Sequence, residues 1–232
     1  MSQEEQKRLG EKEKKTFSDS LTSFFVKFRF VILGFIVSLI VAVVVVSVIS
    51  YFTEKSVKMG LSEIDTITSE FAVLKVSESS DSAKEDELIA RAQAVVDKRN
   101  PTIVTVRAQM IIAEIQYSKK NYEAARTAWL AAAEADKKSY TYGLCNYQCG
   151  IASEELKDFD NAVLYLKKAS EAENFSNVPR ALFNIGRIEE TRGNADKAAE
   201  SYQKLVADYP SNQWSSLAKS RLITLSIEGK IN

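Results

Sequence analysis

From residue 106 to residue 212, apolar and small residues recur at intervals of three and four. Short polar runs interrupt them, which is the pattern of amphipathic helices joined by tight turns. Three stretches align without a gap: NYEAARTAWLAAAEAD (121–136), DFDNAVLYLKKASEAE (158–173) and NADKAAESYQKLVADY (194–209). Each carries an alanine at the same place (Ala125, Ala162, Ala198) and a large residue four positions on (Trp129, Leu166, Tyr202). Three further on stands Ala132, Ala169 or Leu205. The aligned alanines are 37 and 36 residues apart, a period that signals stacked repeats. Upstream of each lies a second helical segment whose small residue, Ala113, Gly150 or Gly186, precedes the aligned alanine by 12 residues. Polar turns at Lys119–Asn121, Lys157–Asp158 and Arg192–Asn194 separate the two segments, with Gly193 placed to end a helix. Small residues are expected where two helices cross closely, and Pro210 is expected to stop the helix before it.

A different pattern precedes the repeats. Residues 30–53, FVILGFIVSLIVAVVVVSVISYFT, hold no charge at all. A helix of that length, at about 1.5 Å per residue, covers the roughly 30 Å hydrocarbon core of a bilayer. The run is too long, and too far from the N-terminus, for a cleaved signal peptide, so an uncleaved transmembrane helix is expected. Seven cations precede it (Lys7, Arg8, Lys12, Lys14, Lys15, Lys27, Arg29), whereas only Lys55 and Lys58 follow closely. That bias places residues 1–29 in the cytoplasm and 54–232 on the far side, which in a bacterium is the periplasmic face of the inner membrane. Phe17, Leu21, Phe24, Phe25 and Phe28 share one helical face, which suits either an interfacial helix or a helical extension of the span. Gly34, Ser38 and Ala42 recur every four residues and would admit a second helix closely.

Between span and repeats, an amphipathic segment near 59–76 and a helix over 84–101, ended by Asn100–Pro101, read as a degenerate membrane-proximal unit within 54–105, with SAKED (82–86) as their turn. After the repeats, 213–227 reads as a capping helix at the head of the 213–232 tail, with Trp214, Leu217 and Leu222 available to cover the last apolar face.

The repeating pattern resembles the tetratricopeptide repeat. Pro179, Ile185, Gly186, Ala198, Tyr202 and Pro210 of the last unit sit at the places that family favours, and the resemblance covers units 106–139, 143–176 and 179–212. The large aromatic usual near the start of each first helix is replaced by Gln109, Asn146 and Leu182. The expected fold is all-α: one N-terminal transmembrane helix, then a tetratricopeptide-repeat solenoid closed by a capping helix.

Composition removes several kinds of chemistry. The chain has no histidine and two cysteines, so no metal site or cofactor is expected. Cys145 and Cys149 lie one turn apart; buried free thiols, a strained disulfide and a redox pair are the readings they allow. No Gly-rich phosphate loop and no nucleophile–base set occurs, and the acidic pairs Glu154–Glu155 and Glu189–Glu190 read as solvated faces, so no enzyme activity is expected. Residues 54–232 hold 24 cations against 26 anions with no basic stripe, which argues against a nucleic-acid partner.

Stacked helical pairs offer a concave surface lined by the first helix of each unit. Helical spacing puts Arg107, Met110 and Glu114 there from the first unit, Tyr147, Ile151 and Glu154 from the second, and Arg180, Phe183, Arg187 and Glu190 from the third. Such a groove suits a peptide or partner helix; the alternative is that Met110, Ile151 and Phe183 pack between repeats. The Lys/Asn/Arg carboxylate clamp of chaperone-binding members is matched only at Arg180, since Met110, Glu114, Gln148 and Asn184 stand at its other places. A short charged tail, one anchor and repeats to the C-terminus is an arrangement similar to the YfgM-like family of inner-membrane proteins, ancillary subunits of the Sec translocon. That resemblance implies a non-catalytic, membrane-tethered adaptor that assists protein export or envelope assembly, with translocon or chaperone subunits as partners and homo-oligomerisation open. The alternative is a structural subunit of a large membrane machine, such as a flagellar or secretion-system collar.

Overall fold

The computed structural model describes residues 3–76, 81–98 and 102–231, with side chains at 4–6 and from 18 onward within those ranges. Among the described residues every regular element is a helix: α1 (Gln3–Val76), α2 (Ser82–Asp97), α3 (Thr102–Ser118), α4 (Tyr122–Ala135), α5 (Thr141–Glu155), α6 (Phe159–Ser170), α7 (Val178–Thr191), α8 (Ala195–Asp208) and α9 (Gln213–Ile227). They fall into two units, Met1–Lys55 and Ser56–Asn232.

The first unit is a single helix, the earlier part of α1, which runs without a break through residues 17–28 and the apolar run. It contains one stretch long and apolar enough to cross a membrane, and none of that stretch is buried. Leu21, Phe24, Phe25 and Phe28 are all exposed, while the side chain of Phe17 lies outside the described residues. A Cβ added at Gly34 would meet nothing within 4 Å among the described residues, and Gly34, Ser38 and Ala42 are all exposed.

In the second unit, consecutive helices pack in pairs: α3 on α4, α5 on α6 and α7 on α8, with α4 against α5, α6 against α7 and α8 against α9. One cluster centres on Ile64, Ile67, Leu88, Val104, Ile115 and Trp129, and a second on Leu166, Ile185, Ile188, Tyr202, Leu205 and Leu225. The glycines predicted at crossings are required there. At Gly150 a Cβ would lie 2.6 Å from Leu166 Cγ, and at Gly186 it would lie 2.7 Å from Tyr202 Cζ. Tyr202 is fully buried, so its ring has nowhere to retreat.

The turns between first and second helices share one device. Lys120 (φ 62°), Lys157 (φ 58°) and Gly193 (φ 81°) each adopt the left-handed conformation. The next residue then bonds back across the helix end: Asn121 N to Gln116 O (2.9 Å), Asp158 N to Ser153 O (2.9 Å), Asn194 N to Glu189 O (2.8 Å). This closure satisfies carbonyls that a helix end leaves unpaired. Asn121, Asp158 and Asn194 then start the second helices. The same closure recurs at the end of α9, where Gly229 has φ 67° and Lys230 N bonds to Leu225 O (2.9 Å). The left-handed residues are thus 37, 36 and 36 positions apart, and α9 has the C-terminal turn of a fourth first helix.

Two expectations change, and one falls outside the described residues. SAKED is not a turn: Asp81 caps α2, accepting from Lys84 N at 3.0 Å, and the helix begins at Ser82, because a capping carboxylate satisfies an amide that the helix start would leave free. The expected stop at Asn100–Pro101 lies outside the described residues. Of the three residues expected to cover the last apolar face, Trp214 stacks on Phe183 (5.2 Å between ring centres) and Leu222 is half-buried, but Leu217 points to solvent.

Candidate functional site

The first helices present their outer flank as a series of steps, α1 to α3, α3 to α5, α5 to α7 and α7 to α9, and charges join most of them. Arg107 of α3 donates to Asp65 of α1 (2.8 Å), and Lys75 of α1 donates to Glu114 (3.2 Å). Arg187 of α7 donates both guanidinium ends to Glu154 of α5, at 2.5 and 2.6 Å. This fork-on-carboxylate geometry is the strongest form of ion pair. Glu190 of α7 accepts from Tyr202 (2.7 Å) and pairs with Arg221 of α9. Burial opposes the Glu190 charge, but the hydrogen bonds from Arg221 and Tyr202 outweigh it and hold the carboxyl below its ordinary pKa.

The step from α3 to α5 differs. Among the described residues no ion pair joins these helices; the link is Tyr117 donating to Glu155 at 3.4 Å. A cavity of about 500 Å³ opens beside them, bounded by Met110, Glu114, Leu144, Gln148 and Ile151, with Ile64 and Thr68 of α1 on one wall and Tyr117 and Trp129 below. Leu144 is exposed, and the Gln148 side-chain amide makes no hydrogen bond among the described residues. The site thus combines apolar walls with the unbonded amide of Gln148 and the charged side chains of Lys75, Arg107 and Glu114. Burial raises the Tyr117 hydroxyl to about 12, with the Glu155 charge adding to it, so this group stays a neutral donor.

The predicted groove residues divide among these surroundings. Arg107, Met110, Glu114 and Ile151 line the one cavity. Tyr147 does not face a groove: it is 5% exposed, its hydroxyl accepts from Asn184 Nδ2 at 3.1 Å, and its ring lies 5.7 Å from that of Phe175. An aromatic of this size gains more from burial between units than from solvent, and its hydroxyl finds a buried partner there. Arg180 lies over both Tyr147 and Trp214, at 5.8 and 5.5 Å from the ring centres, and Phe183 packs between Tyr202 and Trp214. Glu154, Arg187 and Glu190 are committed to the cross-helix pairs. The pair Glu189–Glu190 is not a solvated face either, because Glu189 is 4% exposed and accepts from Asn194 (2.7 Å) and Arg192 (3.4 Å). Leu144, Lys75, Asp65 and Arg221 were not among the predicted site residues. Opposite charges one repeat length apart, such as Glu154 and Arg187, were the available signal for the pairs.

The two cysteines are sealed from solvent. Cys145 and Cys149 are free and buried, and burial pushes both thiols up to about 12. Cys149 Sγ donates to Arg126 O at 3.6 Å. Among the described residues no cluster of metal-ligating side chains occurs.

The family model for the tetratricopeptide repeat matches residues 89–140 and 150–213, half of the chain. The chain belongs to the tetratricopeptide repeat family. A TPR repeat-containing protein of Treponema pallidum (strain Nichols) is 34% identical over 152 residues, covering 65% of this chain. This chain spans 64% of that relative's length. Among solved structures, the apo form of RapI is similar at 22% identity and a TM-score of 0.50, over 70% of this chain and 53% of that one. MamA is similar at 19% identity and a TM-score of 0.47, over 63% of this chain and 85% of that one. The repeat architecture is one commonly used for binding other proteins and is generally non-catalytic.

Proposed function

We propose that this protein is a membrane-tethered, non-catalytic adaptor that holds a segment of another protein in the cavity between α3 and α5. The observation that carries the reading is that step itself. Neighbouring steps of the first-helix flank are closed by ion pairs, whereas this one leaves Met110, Leu144 and Ile151 around about 500 Å³ of space with a free amide at Gln148. An apolar pocket with a few convergent polar groups is the form a recognition site takes. Gln148 has an NH₂ donor group and a carbonyl acceptor to offer a peptide backbone, while the apolar walls suit one inserted aliphatic or aromatic side chain.

In this reading the apolar part of α1 is a single-pass anchor in a bacterial inner membrane. Its cation-rich N-terminal flank stays in the cytoplasm, and the repeats work on the periplasmic side in protein export or envelope assembly. What supports that orientation is the excess of Lys and Arg before the span. Photocrosslinking in native membranes with a reactive residue at Gln148 tests the reading. Adducts with translocon, chaperone or exported proteins are expected, and Leu144→Lys should abolish them without lowering the melting temperature. Absence of adducts at Gln148, or adducts indifferent to Leu144→Lys, overturns it.

A further inference from the structure

A second cavity, of about 440 Å³, opens between the second helices α6 and α8. Its floor is Leu182 and Ile185 of α7, both buried, and its walls carry Lys167 and Ser170 from α6 and Ser201 and Lys204 from α8. The preceding step, from α4 to α6, shows what that space corresponds to. There Leu130 of α4 and Tyr165 of α6 pack half-buried against the first core cluster, and Lys168 lies over the Tyr165 ring, 5.4 Å from its centre. Counted from the aligned alanines Ala125, Ala162 and Ala198, Lys167 stands in the place of Leu130, Ser201 in that of Tyr165 and Lys204 in that of Lys168. One repeat therefore supplies its own ring. The next keeps an apolar floor and the cation but lacks the ring.

The groups around the space define what fits it. Ser170 Oγ donates to Lys167 O (2.8 Å) and Ser201 Oγ to Lys197 O (3.1 Å), so each hydroxyl oxygen is left to accept from an incoming donor. The charges balance. Lys204 pairs with Asp208 and Glu189 with Arg192, while the lining cations Lys167 and Lys197 are matched in number by Glu171 and Glu200. Such a lining selects neither an anion nor a cation. It does suit a neutral ring bearing one O–H, with apolar area for the ring, a serine oxygen for the hydroxyl and a lysine for the ring face.

We infer that the cleft between α6 and α8 is a socket for a tyrosine side chain of a partner protein, a site separate from the cavity between α3 and α5. The ring rests on Leu182 and Ile185, Lys204 lies against its face as Lys168 lies against Tyr165, and the hydroxyl donates to Ser170 or Ser201. The test uses the full chain in lipid nanodiscs and N-acetyl-3-fluorotyrosinamide as probe, followed by ¹⁹F NMR with empty nanodiscs as blank. Binding above the blank is expected, displaced by N-acetyl-tyrosinamide and not by N-acetyl-leucinamide. Ser201→Tyr refills the space with the chain's own ring, so it should weaken binding at least roughly tenfold while keeping or raising the melting temperature. Lys204→Gln removes the cation from an exposed side chain and should weaken binding about threefold at an unchanged melting temperature. Should Ser201→Tyr fail to fold, Lys204→Gln decides. No binding above the blank, displacement by the leucine amide, binding that persists in a folded Ser201→Tyr chain, or an affinity that Lys204→Gln leaves unchanged would each overturn the inference.

Discussion

The steps from α3 to α5 and from α5 to α7 are built from the same repeat, yet one is open and the other locked. At the locked step Arg187 and Glu154 face each other in a two-bond fork, Tyr147 and Asn184 bond beneath it, and Arg180 covers the Tyr147 ring. At the open step Met110, Leu144 and Gln148 stand where those groups would be, and space remains. Repeat geometry is indifferent to this choice, because the helix pairs are held by Ala125, Ala162 and Ala198 and their large partners on the other flank. A solenoid can therefore vary its outward residues from step to step without risking its fold, and that freedom is where binding specificity resides.

The comparison breaks most sharply at the crossing beside the locked step. Gly186→Ala drives a methyl into the immobile Tyr202 ring and should cost about 1–3 kcal/mol, the range for overpacking. Leu144→Ala at the open step should cost well under about 1 kcal/mol, because the side chain is already exposed. Thermal or denaturant unfolding of the two variants measures the difference. If Leu144→Ala proves as damaging as Gly186→Ala, the open step is part of the core.

The next effect is the fork. Arg187→Ala should destabilise by about 0.5–1 kcal/mol, the upper range for a partly exposed pair, whereas Gln148→Ala should leave stability unchanged. A variant carrying Ala at both Arg187 and Glu154 should recover part of that loss, since no carboxylate is then left without its partner.

Acid should act on the closed steps in the same sense. The folded pKa of Glu190 lies below the ordinary 4.5, so its contribution is complete above 4.5 and disappears as the pH falls through the lower folded value. The melting temperature of the native chain should drop over that window, and Arg221→Ala should make the drop smaller.

The smallest effect concerns the turns. Lys157 and Lys120 hold a left-handed backbone that Gly193 adopts freely, so Lys157→Gly should gain a few tenths to about 1 kcal/mol. Gly193→Lys should lose a similar amount.

Much of this was legible along the chain because it is local. Gly193 before a polar turn, the alanines 37 and 36 apart, and Pro210 just after α8 are each signals carried by a few neighbouring residues. The candidate site was legible only in part. Met110, Ile151, Arg107 and Glu114 were assigned to one surface, but Tyr147 was placed there with them on helical spacing alone. Spacing gives a residue's direction from its own helix and says nothing of what the next repeat brings against it. Leu217 misled for the same reason, since its direction could be read but the absence of a helix over it could not.

The sequence by itself determined the helix-turn-helix period, the uncharged run from 30 to 53 and the absence of histidine chemistry, all of which follow from residue type and order. Only the tertiary structure decided which carboxylates are paired, that Glu189 is buried and Cys145 sealed, and that one step of four stays open. These depend on side chains separated by roughly one repeat length, and the free energy of such contacts is set by geometry between helices that no local pattern encodes.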